Sequence, residues 1–524
     1  SAAELRQLTV LFCDLVGSTA LAEQLDPEAL RDVLRDYQSV AGRVVARYEG
    51  HLAKYMGDGL LAYFGYPTAH EDDAQRAVRA GLAILEGLDP LRARVLREHG
   101  AELHARIGIH TGPVVAGDMG GDEAHESKAV VGRTPNLAAR LQDRAAHDTV
   151  VISADTFRLV QGYFETVPLG SHALKGIAEP VDLFHVRRES GARNRLEAAA
   201  EGELTPMVGR EPEIGLLAGR WDAVLDGQGQ AVLVGGEAGI GKSRILQAMK
   251  ERVAADAGAW LTECFCSPYH TQSALYPVID LFTRVILGFG RGDDPAARLT
   301  KIEGFIAQYG LPPEPSVPLL ADLLSVPYDG RYPPLGVSPE RHKQLTLQLM
   351  VDLLLRRAAV QPLLLVHEDL HWADPTTLEM LEMIIGAAAE SRLMLLMTSR
   401  PGYDLAVARR SEVAQLTLSR LSDGQTSRVA ARISGGLELP PEVMAQIVAK
   451  TDGVPLYIEE LTKMVIEAGL VVVKDGRYVA VGPIGALAIP ATLQDSLVAR
   501  LDRLSTEKLI AQVGATIGRE FGYD

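Results

Sequence analysis

Two carboxylates stand where strands should end. Asp14 follows the apolar run Leu8-Thr-Val-Leu-Phe-Cys13, and Asp58 lies between glycines in Lys54-Tyr-Met-Gly-Asp-Gly-Leu-Leu-Ala-Tyr-Phe64. If the strands are neighbours, the two acids converge. Such a pair suits Mg2+ or Mn2+, hard ions that take carboxylate oxygen together with substrate phosphate. Two such ions about 4 Å apart can activate a nucleophile and hold a leaving phosphate. The loop Val16-Gly17-Ser18-Thr19 opens a helix, so its backbone N–H groups are placed for phosphate. Plainer alternatives are that Asp58 is a turn residue and that Asp14 and Ser18 only cap a helix. Asn136 and Arg140, in Val130-Val-Gly-Arg-Thr-Pro-Asn-Leu-Ala-Ala-Arg140, are four apart and share a helix face. A neutral donor and a fixed cation there suit a ribose and a charge-rich transition state, or simply a solvated face.

A second chemistry begins at Gly236-Glu-Ala-Gly239-Ile-Gly241-Lys242-Ser243, after the apolar run Gln230-Ala-Val-Leu-Val-Gly235. This is a G-x-x-x-x-G-K-S phosphate loop in a strand–loop–helix setting. The glycines let the backbone close around phosphate, Lys242 supplies charge, and Ser243 can hold one Mg2+. Pro362-Leu-Leu-Leu-Val-His-Glu368-Asp369 reads as the acidic strand of such a site, with Glu368 near the metal and Asp369 polarising water. A third apolar strand ends at Thr398-Ser-Arg400, where Thr398 or Arg400 senses a γ-phosphate or merely solvates the strand end.

The elements that must carry these residues follow from periodicity. Leu8–Cys13 reads as a buried strand and Lys54–Phe64 as a hairpin turning at Gly57-Asp58-Gly59. A helix is expected over 27–48, with Asp26 as N-cap and Pro27 at its first position. A long helix is expected over 70–98. Strands are expected at 104–110, 113–116, 129–131 and 149–152, with helices at 135–145 and from 154. The pattern predicts a multidomain α/β chain whose first part is a ferredoxin-like α/β sandwich.

Taken together, Phe12-Cys-Asp14-Leu-Val-Gly-Ser-Thr19, Lys54-Tyr-Met-Gly-Asp58-Gly, Arg106-Ile-Gly-Ile-His-Thr-Gly112 and Gly132-Arg-Thr-Pro-Asn136-Leu-Ala-Ala-Arg140 resemble the signature segments of class III nucleotidyl cyclases, in that family's order. The resemblance implies two metals on Asp14 and Asp58, a purine read by Lys54, a ribose oriented by Asn136 and a transition state stabilised by Arg140. Lys175 is a further candidate for the triphosphate. The family builds its site between two catalytic domains, so one domain with the full set implies a homodimer with two sites. Lys54 favours ATP over GTP. Where ATP-using members commonly carry Asp or Thr, this chain has Ala129, which implies relaxed purine discrimination.

Val208-Gly-Arg210-Glu211, the phosphate loop, Glu368-Asp-Leu-His-Trp-Ala-Asp374, Thr398-Ser-Arg400 and Gly453-Val-Pro455 resemble signal-transduction ATPases with numerous domains. That resemblance implies an α/β nucleotide domain, then helical and winged-helix segments. It also implies Arg210 near adenine, Pro455 against the nucleotide, and slow turnover. His371 and Trp372 read as packing residues. The expected organisation is a cyclase domain over 1–187, a linker over 188–206, the ATPase domain over 207–402, a helical domain over 403–490, and the start of a winged helix over 491–524, cut short.

The whole chain sets outer limits. Its 524 residues suit about three domains, and 47 % apolar with 23 % charged residues are usual for globular chains. A net charge of −16 without a long basic run argues against an extended nucleic-acid surface. Three cysteines give no disulfide framework, and Cys264-Phe-Cys266 reads as reduced thiols. No apolar run is long enough for a membrane span and no signal peptide is visible, so a cytoplasmic protein is expected. The leading expectation is an adenylyl cyclase that makes cyclic AMP and pyrophosphate under control of the fused ATPase. The rivals are a weakly active cyclase-fold scaffold driven by the ATPase, and a transcription regulator.

Overall fold

The computed structural model describes residues 4–119, 126–177, 179–198, 207–256, 258–290, 292–328 and 330–482, together with 493, 498 and 502; the side chains of 18–20, 118–119 and 126–129 are outside that description. The chain divides into two compact units, residues 1–204 with 488–524, and residues 205–487.

The first unit is built on strand β1 (Glu4–Val16), apolar on both faces because helices cover both. The next elements are α1 (Ser18–Gln24), α2 (Pro27–Arg47), β2 (His51–Met56), β3 (Gly59–Phe64), α3 (Asp73–Gly87) and α4 (Asp89–His99). After them come β4 (His104–Met119), β5 (Glu126–Val131), α5 (Arg133–Arg144), β6 (Thr149–Ser153), α6 (Ala154–Val160), β7 (Phe164–His172) and β8 (Val181–Glu189). The sheet order is β2-β3-β1-β4-β6-β8-β7, with β5 on the far part of β4. Asp26 caps α2 by accepting from the N–H groups of Glu28 and Ala29, as its type and the following Pro27 predict. The helix expected over 70–98 is two helices, because Pro90 at the start of α4 cannot continue the donor ladder of α3.

The two strands expected at 104–110 and 113–116 are one strand that runs through Pro113. On one side Pro113 pairs with Gln7 of β1. On the other, β6 pairs with 106–109 and β5 with 115–119, so the proline falls in the gap where no donor is needed. Strands β7 and β8 had no clear sequence signal. The residues expected to form a linker begin as part of this unit. A four-residue helix, α7 (Arg195–Ala198), places the Ala198 carbonyl where a side chain on Gly162 would sit. Arg6, buried on β1, holds Asp502 through Nη1 and Nη2 at 3.0 and 3.1 Å, and Asp502 also accepts from the Ala69 N–H. Too few residues of 491–524 are described to test a winged helix.

The second unit has a five-stranded parallel sheet, order β10-β11-β12-β9-β13. Its strands are β9 (Gln230–Gly235), β10 (Trp260–Phe265), β11 (Leu363–Glu368), β12 (Leu393–Ser399) and β13 (Val413–Thr417), beyond the expected boundary at 402. The central strands β11 and β12 are buried along their whole length, which explains their unbroken apolar runs. Helix α8 (Glu211–Leu225) precedes β9, and α9 (Lys242–Ala255) follows the phosphate loop. Helices between β10 and β11, including Pro295–Gln308 and Pro339–Val360, cover one sheet face. Beyond β13 stand helices Asp423–Ile433, Pro441–Thr451 and Pro455–Glu467, then a hairpin of β14 (Val471–Lys474) and β15 (Arg477–Ala480). No helix among the described residues is long and apolar enough to cross a membrane.

Candidate functional site

In the first unit, β1 and β3 are antiparallel neighbours, and Asp14 pairs with Gly59, the residue after Asp58. The two acids therefore do converge. A side chain built on Gly59 would lie 3.5 Å from Asp14 Oδ1. Burial pushes the Asp14 carboxyl up to about 6, the nearby Asp58 pushes it the same way, and Arg106 opposes them. A desolvated carboxylate with a second carboxylate beside it favours a cation between them. No set of three or more His, Cys, Asp or Glu gathers there among the described residues. The donors fit Mg2+ or Mn2+ that draws its other ligands from water and substrate phosphate.

The hairpin that carries Asp58 is braced from α2. Gln38 Nε2 donates to the Gly57 carbonyl at 3.3 Å, and the Tyr55 hydroxyl donates to the Gln38 carbonyl at 3.1 Å. Gly57 takes φ +67, which favours glycine at the turn. A bulge between Leu52 and Lys54 re-aims β2, and Lys54 is exposed. At the other acid, Gly17 takes φ +68 before α1; the side chains of Ser18 and Thr19 lie outside the described ones.

Helix α5 has a buried face and an exposed one. Its buried Gln142 donates to Asp14 Oδ2 at 3.5 Å. Asn136 and Arg140 occupy the exposed face, where Arg140 pairs with Asp143 at 3.3 Å. The exposed Lys175 lies between β7 and β8, beside buried Leu174, which packs with Leu137 and Leu141 of α5. Asn136, Arg140 and Lys175 are all exposed, and Asp143, the partner of Arg140, is among the charges that act on Asp14. Among the described residues no hydrogen bond or ion pair joins Lys54, Asn136 or Arg140 to Asp14 or Asp58. Ala129 lies on β5 opposite Gly117, with its side chain outside the description.

In the second unit, Gly239 and Gly241 take φ +74 and +104, as a loop closing on phosphate requires. Buried Lys242 donates to the carbonyls of Gly236 and Glu237, both at 2.9 Å. Ser243 Oγ donates to Glu368 Oε2 at 2.8 Å. Burial pushes the Glu368 carboxyl up to about 7, against the Ser243 hydrogen bond, with Asp369 adding to the rise. A hydroxyl and a desolvated carboxylate in contact fit one Mg2+. The Asp369 N–H donates to Thr398 Oγ1 at 2.9 Å, linking the tips of β11 and β12, and half-buried Arg400 follows at the end of β12. The Leu456 N–H, next to Pro455, donates to the Gly239 carbonyl at 3.2 Å. His371 and Trp372 pack with Tyr403.

Residues 1–187 match the adenylate and guanylate cyclase catalytic domain family, and residues 206–396 match the AAA ATPase domain family. The chain joins a class III cyclase domain to an AAA ATPase domain. An uncharacterised protein of Rhizobium meliloti is 29 % identical over 99 % of this chain and 49 % of its own length. Adenylate cyclase 1 of Rhizobium meliloti is 29 % identical over 37 % of this chain and 29 % of its own. The chain thus spans about half or less of these curated relatives. Guanylate cyclase soluble subunit beta-2 of Rattus norvegicus is 26 % identical over 39 % of this chain and 30 % of its own. Among solved structures, the adenylyl cyclase CyaB from P. aeruginosa is 31 % identical, covering 36 % of this chain and 96 % of that one, with a TM-score of 0.35.

One feature of the cyclase site was not singled out from sequence. Arg106 pairs with Asp14 in the β1–β4 register, and its Nε is buried without a hydrogen-bond partner. Its signal was available, since Arg106 opens the segment ending at Gly112. Arg210, expected near adenine, is buried in the AAA domain. Its Nη2 donates to the carbonyls of Ile240 at 3.1 Å and Ser419 at 2.7 Å. The Ile240 carbonyl belongs to the phosphate loop.

Proposed function

We propose that the cyclase domain converts ATP to 3′,5′-cyclic AMP and pyrophosphate at two sites across a homodimer, in the cytoplasm, with the AAA domain as a slow nucleotide switch. The observation that carries this is the division of the polar residues. Asp14 and Asp58 converge, while Asn136, Arg140 and Lys175 face solvent and make no hydrogen bond or ion pair to the acid pair among the described residues. In this reading the acid pair is one half of a site, the exposed Asn136 and Arg140 belong to the other half, and a second copy supplies what each lacks.

In this reading the ribose 3′ oxygen attacks the α-phosphorus in line. The 3′ O–H proton passes to water, the bond between the α-phosphorus and the oxygen bridging to the β-phosphate breaks, and that oxygen departs as part of pyrophosphate. Asp14 and Asp58 would hold two Mg2+ or Mn2+ ions, which would supply Lewis-acid activation of the nucleophile and charge balance for the leaving group. Asn136 orients the ribose, and Arg140 stabilises charge on the reacting phosphate. Arg106 and Lys175 add positive charge toward the triphosphate, and the Gly17 turn with Ser18 and Thr19 offers backbone donors. Lys54 carries donors only, which suits the acceptor N1 of adenine and not the N–H that guanine presents there. Ala129 offers no second polar contact, so GTP is rejected only modestly.

In the AAA domain, Lys242 and the Gly236–Ser243 backbone take the phosphates, and Ser243 with Glu368 takes one Mg2+. Asp369 orients water, and Arg400 reads the γ-phosphate. Arg210 and Pro455 shape the nucleotide's surroundings.

The test incubates the purified chain with ATP or GTP and Mg2+ or Mn2+, and quantifies cyclic nucleotide, pyrophosphate and ADP. Cyclic AMP is expected, with Asp14→Ala and Asp58→Ala each reducing it at least 100-fold while the fold is kept. ADP without cyclic nucleotide would overturn the cyclase reading and favour an ATPase-driven scaffold.

A further inference from the structure

The phosphate loop contains an acid. Glu237 follows Gly236 directly, and a carboxylate at the mouth of an anion site repels the phosphates the site is built to hold. The structure shows what offsets it. Arg420, in the segment between β13 and the helix Asp423–Ile433, sets its Nη2 on both carboxylate oxygens of Glu237, at 3.0 and 3.1 Å. Its Nη1 reaches Asp452, just ahead of Gly453-Val454-Pro455. Glu237 faces two ways: its carboxylate holds Arg420, while its main-chain carbonyl accepts from Lys242 Nζ.

The neighbours of Arg420 tie the same parts together. The Ser419 carbonyl accepts from Arg210, and the Leu421 N–H donates to the Gly453 carbonyl at 2.8 Å. Gly453 lies so close that a side chain there would meet the Leu421 carbonyl at 2.1 Å. Residues 419–421 thus touch the Arg210 segment, the phosphate loop and the turn before Pro455.

We infer that Arg420 is a positioning residue of the nucleotide site, which neutralises Glu237 of the phosphate loop, ties it to Asp452, and so sets how tightly the AAA domain holds nucleoside di- and triphosphates. The inference rests on the AAA site binding nucleotide. Arg420 acts through Glu237 and needs no contact with the phosphates. When phosphate takes Lys242 from the Glu237 carbonyl, the loop end held by Arg420 is the end that must adjust. Occupancy of the site is then felt at Asp452 and the helix Pro455–Glu467.

The test measures binding and release of fluorescent ATP and ADP analogues by the full chain. Arg420→Ala removes the two charge-assisted hydrogen bonds that Glu237 accepts from it, and roughly a three- to tenfold loss of affinity is expected, larger for ATP than for ADP and shrinking with added salt. Adding Glu237→Gln to Arg420→Ala removes the repulsion and restores most of the loss. Arg420→Lys, which keeps the charge, stays within about twofold of wild type for affinity but releases nucleotide faster. Melting curves confirm that each variant folds, and Arg420→Lys carries the release test should Arg420→Ala fail to fold. Wild-type affinity in Arg420→Ala, or a double variant as weak as Arg420→Ala, would overturn the inference alone, provided Lys242→Ala abolishes binding. A wild-type chain that binds neither analogue would overturn the nucleotide reading and this inference with it.

Discussion

At the residue scale, Asp14 shows how a site trades stability for chemistry. Burial and Asp58 hold its carboxyl near 6, above the ordinary value of 3.8. A raised carboxyl favours the folded state fully below its unfolded value and loses that advantage as pH rises through about 6. The ionised pair therefore costs stability at neutral pH until metal binds. Partial exposure screens the effect, leaving about 1 kcal/mol. Asp14→Asn is expected to raise the melting temperature of the metal-free protein by about 2–4 °C at pH 7.5 and by nothing measurable at pH 3.5. Calorimetry in chelator at both pH values checks it, and added Mg2+ or Mn2+ should raise the wild-type melting temperature but not the variant's. The acid pair was legible in the sequence because both residues end apolar runs. Arg106 was less so: what gives it meaning is its pairing with Asp14 across β1 and β4, and register is not printed in either strand alone.

At the element scale, the site depends on the close approach of α5 to the sheet. A side chain built on Gly108 of β4 would lie 2.3 Å from both the Ala138 carbonyl and the Gln142 N–H nitrogen. Those atoms are backbone and cannot turn aside. Gly108→Ala is expected to push α5 outward, costing about 3 kcal/mol or more and displacing Gln142 from Asp14. Thermal melting reads the first effect. Cyclic nucleotide formation, falling further than the unfolded fraction accounts for, reads the second. The hairpin was visible as apolar arms around Gly-Asp-Gly, and α2 as a capped amphipathic run. The continuity of β4 through Pro113 was not, because proline normally ends a strand and only the gap between β5 and β6 makes it harmless. The brace of Gln38 and Tyr55 on the hairpin was equally hidden, since it joins residues from separate elements.

At the scale of the whole molecule, the proposed homodimer makes a prediction that no single-chain site shares. Asp14→Ala spoils the metal half of a site and Arg140→Ala the other half, so each variant alone is inactive. In a mixed dimer one of the two sites pairs an intact metal half with an intact Arg140. Co-expressed in equal amounts, the two variants should recover roughly a quarter of wild-type cyclase activity, since half the dimers are mixed and each has one sound site. No recovery, with dimers confirmed by sedimentation, would show that each chain builds its site alone. Taken by itself, the sequence determined which chemistries the chain carries. Motifs such as Gly236–Ser243 or the run into Asp14 are local, and local geometry follows from residue type and spacing. The tertiary structure decided which of those residues meet. It set Asp14 against Asp58 and Arg106, placed Asn136 and Arg140 on the outer face of α5, and brought Arg420 to Glu237 across 183 positions of chain. Such meetings depend on strand order, register and helix packing, which the whole fold sets together.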